Sequence, residues 1–138
     1  MIPSEAQARG KVIWFEESAD TILTGVGSKL FFNRIVAPVF LGKEGDLAAA
    51  ERAEHEELPP VLDYLERELA GREYLVGEQL TLADVAVASS LANLEHAGVV
   101  LGAEGRPNLA AYKEKMLKRP SFSALLERER AYLARVRA

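Results

Sequence analysis

Tyr74-Leu75-Val76-Gly77-Glu78-Gln79-Leu80-Thr81-Leu82-Ala83-Asp84-Val85-Ala86-Val87 is the stretch on which the fold turns. With Thr81 as N-cap, Asp84 falls at N3, so the two side chains can satisfy backbone donors at a helix start in a variant of the capping box. Leu80 and Val85 occupy the N′ and N4 positions of a hydrophobic staple. The helix opened by these signals runs roughly from Leu82 to His96. It is rich in small residues, among them Ala83, Ala86, Ala88 and Ala92, which let neighbouring helices approach, while Val85, Val87, Leu91 and Leu94 add bulk. It is predicted to be the central helix of an all-α bundle. From the cap alone, Asp84→Ala is expected to cost roughly 1 kcal/mol.

Upstream, Ser4 reads as the cap of a first helix, and Glu5 suits the positive end of its dipole. Ala8, Val12, Phe15, Ala19, Ile22, Val26 and Leu30 recur at steps of three or four and predict one buried face. Gly25 and Gly27 weaken the middle by roughly 1 kcal/mol each relative to alanine and allow a bend or close packing. Pro38 is expected to end or kink this helix, and Leu41-Gly42-Lys43-Glu44-Gly45 reads as a connection. A second helical segment spans about Asp46 to Ala70, with Leu58, Val61, Leu62, Leu65 and Leu69 as its apolar stripe. Pro59 and Pro60 leave two readings open, one long kinked helix or two shorter ones.

Downstream, Gly98, Gly102 and Gly105 loosen the chain before Pro107 starts a short helix reaching about Lys118. Pro120 makes a break. A last helix then carries Phe122, Leu125, Leu126, Tyr132 and Leu133 beside Arg128, Arg130, Arg135 and Arg137, which read as a solvated face with a basic tail.

Composition narrows the function classes. The 138 residues are 49% hydrophobic and 28% charged, which suits one folded domain rather than a disordered segment. No cysteine occurs, so no disulfide, thiol nucleophile or thiolate metal site is available in these residues. His55 and His96, the two histidines, are too few to predict a metal centre. A net charge of -4 speaks against a broad nucleic-acid surface, and no apolar run is long enough to predict a membrane span. A cytoplasmic location fits these features.

Together the segments resemble the C-terminal domain of soluble glutathione transferases. The likeness rests on Tyr74 to Val87, on Pro107-Asn108-Leu109-Ala110-Ala111-Tyr112, and on Lys118-Arg119-Pro120-Ser121-Phe122. The opening from Ser4-Glu5-Ala6 to Trp14-Phe15-Glu16-Glu17-Ser18-Ala19-Asp20 is similar to that domain's first helix, so the likeness covers nearly the whole chain as a single domain, 1–138. It implies that the thioredoxin-like N-terminal domain, which binds most of glutathione, lies outside these residues. It further implies glutathione as co-substrate of the full-length protein, no cofactor bound by this domain alone, a hydrophobic electrophile as second substrate, and a homodimer. Thr81 and Asp84 take the family's capping role.

By the same resemblance the first helix shapes the second-substrate pocket and the contact with the other domain. Trp14, Phe15, Phe31 and Phe32 are the candidate aromatic wall, and Asn33 and Arg34 are candidates to orient a polar group. The aromatics fit a core equally, and Arg34 fits a salt bridge. No catalytic residue is assigned: the histidines lack a nucleophile beside them, and Ser89 and Ser90 lack the strand-turn-helix setting of a serine nucleophile. Conjugation by the chain alone is not expected. The alternative function is a stand-alone protein interaction domain, since related helical domains serve assembly in translation and aminoacyl-tRNA synthetase complexes.

Overall fold

A computed structural model describes residues 1–137, and every regular element among them is helical: α1 Ala6–Ser18, α2 Thr24–Phe31, α3 Leu47–Arg52, α4 Leu58–Glu68, α5 Leu82–His96, α6 Pro107–Leu117 and α7 Pro120–Arg137. None of these helices is long and apolar enough to cross a membrane. Three π-helical segments, Ala19–Leu23, Phe32–Phe40 and Ala53–Glu57, fuse the early helices into two long rods.

The π segments explain where the burial pattern departs from simple periodicity. A π turn adds one residue per turn and rotates every later side chain relative to the α phase. Val12, Phe15 and Ala19 are buried as predicted, but Leu23 rather than Ile22 continues the core, and Ile22 is left 48% exposed. Beyond Leu30 the next buried residue is Ile35, a step of five that a plain α-helix does not place on one face. Pro38, expected to end or kink the rod, sits inside the second π segment. The rod closes where Leu41 N–H donates to Val36 O at 3.1 Å and Lys43 N–H to Ala37 O at 2.9 Å, around Gly42 in the left-handed region at φ 59°. At the N-terminus the cap is Glu5, not Ser4: its carboxylate accepts from Gln7 N–H at 2.9 Å and Ala8 N–H at 2.7 Å.

The second rod resolves the Pro59-Pro60 ambiguity in favour of one continuous helical run. The π turn at Ala53–Glu57 immediately precedes the prolines, which then fall in the first turn of α4, where N–H groups need no intrahelical partner. Leu58, Leu62, Leu65 and Leu69 are buried along it. Asp46 starts this rod by accepting from Ala49 N–H at 3.0 Å.

α5 begins and ends at the residues read from the sequence, and it packs against α1, α2 and α6. Its small residues serve that packing: Ala83 and Ala88 are fully buried. Gly27 in α2 lies so close that a Cβ there would sit 3.2 Å from Leu94 Cδ2.

Asp84 does more than cap. It is completely buried, and its Oδ2 accepts from Thr81 N–H at 3.0 Å. Its Oδ1 accepts from Leu75 N–H at 3.0 Å and from the Tyr112 hydroxyl at 2.8 Å. One carboxylate thereby joins the start of α5, the preceding loop and α6. Burial pushes the Tyr112 hydroxyl far above its ordinary titration range, and the Asp84 charge and hydrogen bond add to the effect. Glu66 of α4 makes a related tie, accepting from Asn108 N–H at 2.9 Å and Leu109 N–H at 2.6 Å at the start of α6.

Asp84→Ala is therefore expected to cost more than a surface cap. It strands two backbone donors and a phenol in the interior, so a loss of roughly 3 kcal/mol or more should appear in urea unfolding; a loss near the cap value alone would mean the hub is not formed. Tyr112 gives the pH dependence. Its folded-state value lies above the unfolded one, so its contribution is intact below the ordinary tyrosine range and is lost as pH rises beyond about 10. Tyr112→Phe should flatten the alkaline slope of stability measured by urea midpoints.

Candidate functional site

Two hollows take up three of the six side chains predicted for substrate, Trp14 and Phe15 in one and Phe31 in the other. The first is an apolar slot of ≈ 290 Å³ between α1 and α4, lined among others by Trp14, Phe15, Ile22, Pro60 and Tyr64. Trp14 Nε1–H donates to the Tyr64 hydroxyl at 2.8 Å, and the Tyr64 ring leans on Phe15 at 6.5 Å. Trp14 itself remains 52% exposed, whereas Phe15 is buried. The Ser18 hydroxyl lies buried in the wall without a hydrogen-bond partner among the described residues. Such an orphaned polar atom in an apolar wall is unusual.

The second is a trough along α2 and α5 that reaches α7. Its narrow end, ≈ 120 Å³, is lined by Leu23, Thr24, Gly27, Ser28, Ser90 and the pair Phe31 and Asn93. Its wide end, ≈ 860 Å³, shares Phe31 and Asn93 and continues over Phe40, His96 and the α7 residues Leu125, Arg128, Tyr132 and Arg135. The floor is apolar and the rim polar. Thr24 Oγ1 and Ser90 Oγ lie 3.3 Å apart, and Ser90 donates to Ala86 O at 3.2 Å. Phe40 and Tyr132 stack with centroids 6.1 Å apart and rings inclined by 13°.

Phe31 is thus the predicted residue that lines the trough, while Trp14 and Phe15 line the slot. Phe32 is half-exposed and borders neither. Asn33 and Arg34 are spent on the fold. Asn33 Nδ2–H donates to Lys29 O at 2.8 Å, and its Oδ1 accepts from Asp46 N–H at 2.9 Å. Gly45 lies against the same residue so tightly that a Cβ would fall 1.9 Å from Asn33 O. Arg34 pairs with Glu54 at 2.6 Å and donates to Ala97 O at 3.1 Å.

Sequence reasoning missed the trough's other contributors. Thr24, Ser28 and Phe31 follow helical spacing in α2, as do Ser90 and Asn93 in α5, a signal present in the chain. Their meeting is tertiary and had no local sign. Phe40 and Tyr132 come from distant segments. His96, at the end of α5, meets Glu129 of α7, with 2.8 Å between Nε2 and Oε2. Beside it, Glu95 binds Arg130 at 2.5 Å and Lys113 at 3.1 Å. Burial works against the Glu95 charge, but these two cations prevail and hold its carboxyl below the usual range.

Because Trp14 is the sole tryptophan, intrinsic emission reports the slot alone. Tyr64→Phe removes the indole's hydrogen-bond acceptor, so the emission maximum should shift while stability changes by at most about 1 kcal/mol. An unaltered spectrum would show that the pair does not form in solution.

The profile of the family described as "Glutathione S-transferase, C-terminal domain" matches residues 29–120. A glutathione S-transferase of Hyoscyamus muticus is 32% identical over 115 residues, covering 83% of this chain and 53% of that protein. Glutathione S-transferase 3 of Zea mays is 32% identical over 126 residues, covering 88% of this chain and 54% of that one. Among solved structures, a Phanerochaete chrysosporium glutathione transferase crystallised with oxidized glutathione superposes with a TM-score of 0.73 at 25% identity, covering 97% of this chain and 58% of that one. The chain spans about half the length of the curated relatives it matches. Its all-helical order and these likenesses agree, and the chain belongs to the glutathione S-transferase family through its C-terminal domain.

Proposed function

We propose that the chain is the C-terminal helical domain of a glutathione transferase and that the trough around Phe31 forms the wall against which the second substrate, an apolar electrophile, is held. The observation that carries this is that the two adjoining hollows share Phe31 and Asn93 in their walls, which sets apolar side chains beside a few polar groups. In this reading glutathione is held and its thiol activated by a thioredoxin-like domain that precedes these residues in the whole protein. The trough then contributes position and the exclusion of water rather than a reacting group. This chain by itself should not conjugate, since in this reading the group that holds and activates the thiol belongs to that other domain.

The slot has a different use within the same proposal. Its wall is almost wholly apolar, its two polar rim atoms satisfy each other, and the orphaned Ser18 hydroxyl can donate to a backbone carbonyl. These features suit a protruding apolar side chain of another subunit, as in a homodimer of the whole protein. Trp14 and Ile22, both about half-exposed in its lining, would be covered by such a contact. The stand-alone interaction reading draws on the same exposed cluster and differs in requiring no preceding thiol-binding domain.

The two hollows separate in experiment. In the whole protein, Phe31→Ala should lower kcat/KM for an apolar electrophile about tenfold, the scale of lost apolar contact in a substrate pocket. Sedimentation should show its subunit association unchanged. Trp14→Glu should do the reverse, driving the protein toward monomer. If Phe31→Ala leaves kcat/KM untouched, the trough is not the substrate wall.

A further inference from the structure

We infer that the wide end of the trough selects ligands whose aromatic body carries a carboxylate, with Arg128 and Arg135 recognising the anion. This rests on reading the trough as the second-substrate wall. Leu125, Arg128, Tyr132 and Arg135 succeed one another at steps of three, four and three along α7, so they form a single stripe, and all four line the trough. Leu125, Tyr132 and Phe40 across from them are each about half-exposed and supply aromatic and aliphatic surface.

The charges around this surface are unequal. Arg130 is taken up by Glu95, and Glu129, the acid that lines the trough, is engaged by His96. Among the described residues neither Arg128 nor Arg135 has a carboxylate within ion-pair distance. Arg135 lies instead over the Tyr132 ring, 5.4 Å from its centroid, with its fork of N–H donors unspent. A flat ring can slide along the Phe40–Tyr132 stack while its carboxylate meets the two guanidinium groups, the geometry that favours arginine over lysine for planar anions. The narrow end has no charged residue in its lining, so the preference belongs to the α7 end.

The test compares 2-naphthoate with its neutral isostere 2-naphthamide, titrated into this chain and followed by isothermal calorimetry. The carboxylate should bind about tenfold more tightly at low salt, and the ratio should shrink as ionic strength rises. In the Arg128→Gln/Arg135→Gln double variant the ratio should fall to about one with naphthamide affinity unchanged, while Phe40→Ala should weaken both ligands. Both arginines are exposed and neither pairs with a carboxylate among the described residues, so the double variant should melt as the parent does. Equal binding of the two ligands by the parent, or an undiminished ratio in the double variant, overturns the charge selection and leaves the apolar wall standing. Binding of neither ligand also overturns it. If the chain is then a dimer that the double variant dissociates, the stripe is a contact between copies. Failure of the substrate wall itself would show separately, as unchanged turnover in Phe31→Ala.

Discussion

A single buried carboxylate holds the bundle to its plan. Asp84 fixes the start of α5 through Thr81, draws the preceding loop inward through Leu75 and reaches α6 through Tyr112. A buried charge is costly unless its lone pairs are filled, and here the cost is offset by donors from the helix start at Thr81, the preceding loop at Leu75 and the distant Tyr112. Each donor is also positioned by the apolar groups around it: Leu75 is fully buried, and Tyr112 nearly so. Local capping and tertiary assembly are thus the same event. α5 can then present Ser90 and Asn93 to α2 at a fixed height along its axis.

The periphery is organised by different means. α7 buries few of its own side chains, chiefly Leu126 and Leu133, and is tied to the end of α5 by the His96–Glu129 and Arg130–Glu95 pairs. Such half-exposed pairs contribute modestly one by one, which leaves α7 the helix most dependent on polar contacts. The trough's wide end lies between this helix and the end of the first rod. Its walls are thus joined to the core less firmly than the narrow end, where α2 and α5 meet through the close approach of Gly27 to Leu94.

Legibility in the sequence followed the range of the interactions. α5 could be bounded to the residue because Thr81, Asp84 and Leu80 speak locally, and the α4 stripe because Leu58, Leu62, Leu65 and Leu69 keep an α phase. Along the first rod Val12, Phe15, Ala19 and Leu30 are buried as their spacing predicts and Val26 packs against the core, but Leu23 takes the core position expected of Ile22, and nothing in Ala19–Leu23 announces a π turn. Pro38 was likewise read by its α-helical rule, which a π segment relaxes. Of the candidate site, Phe31 was legible as an aromatic on the right helix. Its companions Asn93, Phe40 and Tyr132 become neighbours only on folding. Arg34 meets the salt-bridge reading through Glu54, but neither that partner nor the Asp46 and Ala97 contacts of Asn33 and Arg34 could be named before the rods were bent back on each other.

The π turn at Ala19–Leu23 also sets an angle. Trp14 precedes it and Phe31 follows it, while Ala19, Ile22 and Leu23 of the turn itself line the slot and Leu23 also lines the narrow end of the trough. Deleting a residue there would leave an uninterrupted α-helix with either half intact in itself, yet turned by about 100° relative to the other. The interval between the two hollows is in this sense counted rather than shaped. Length variation at that spot would re-aim Trp14 against Phe31 while leaving both of those side chains unchanged.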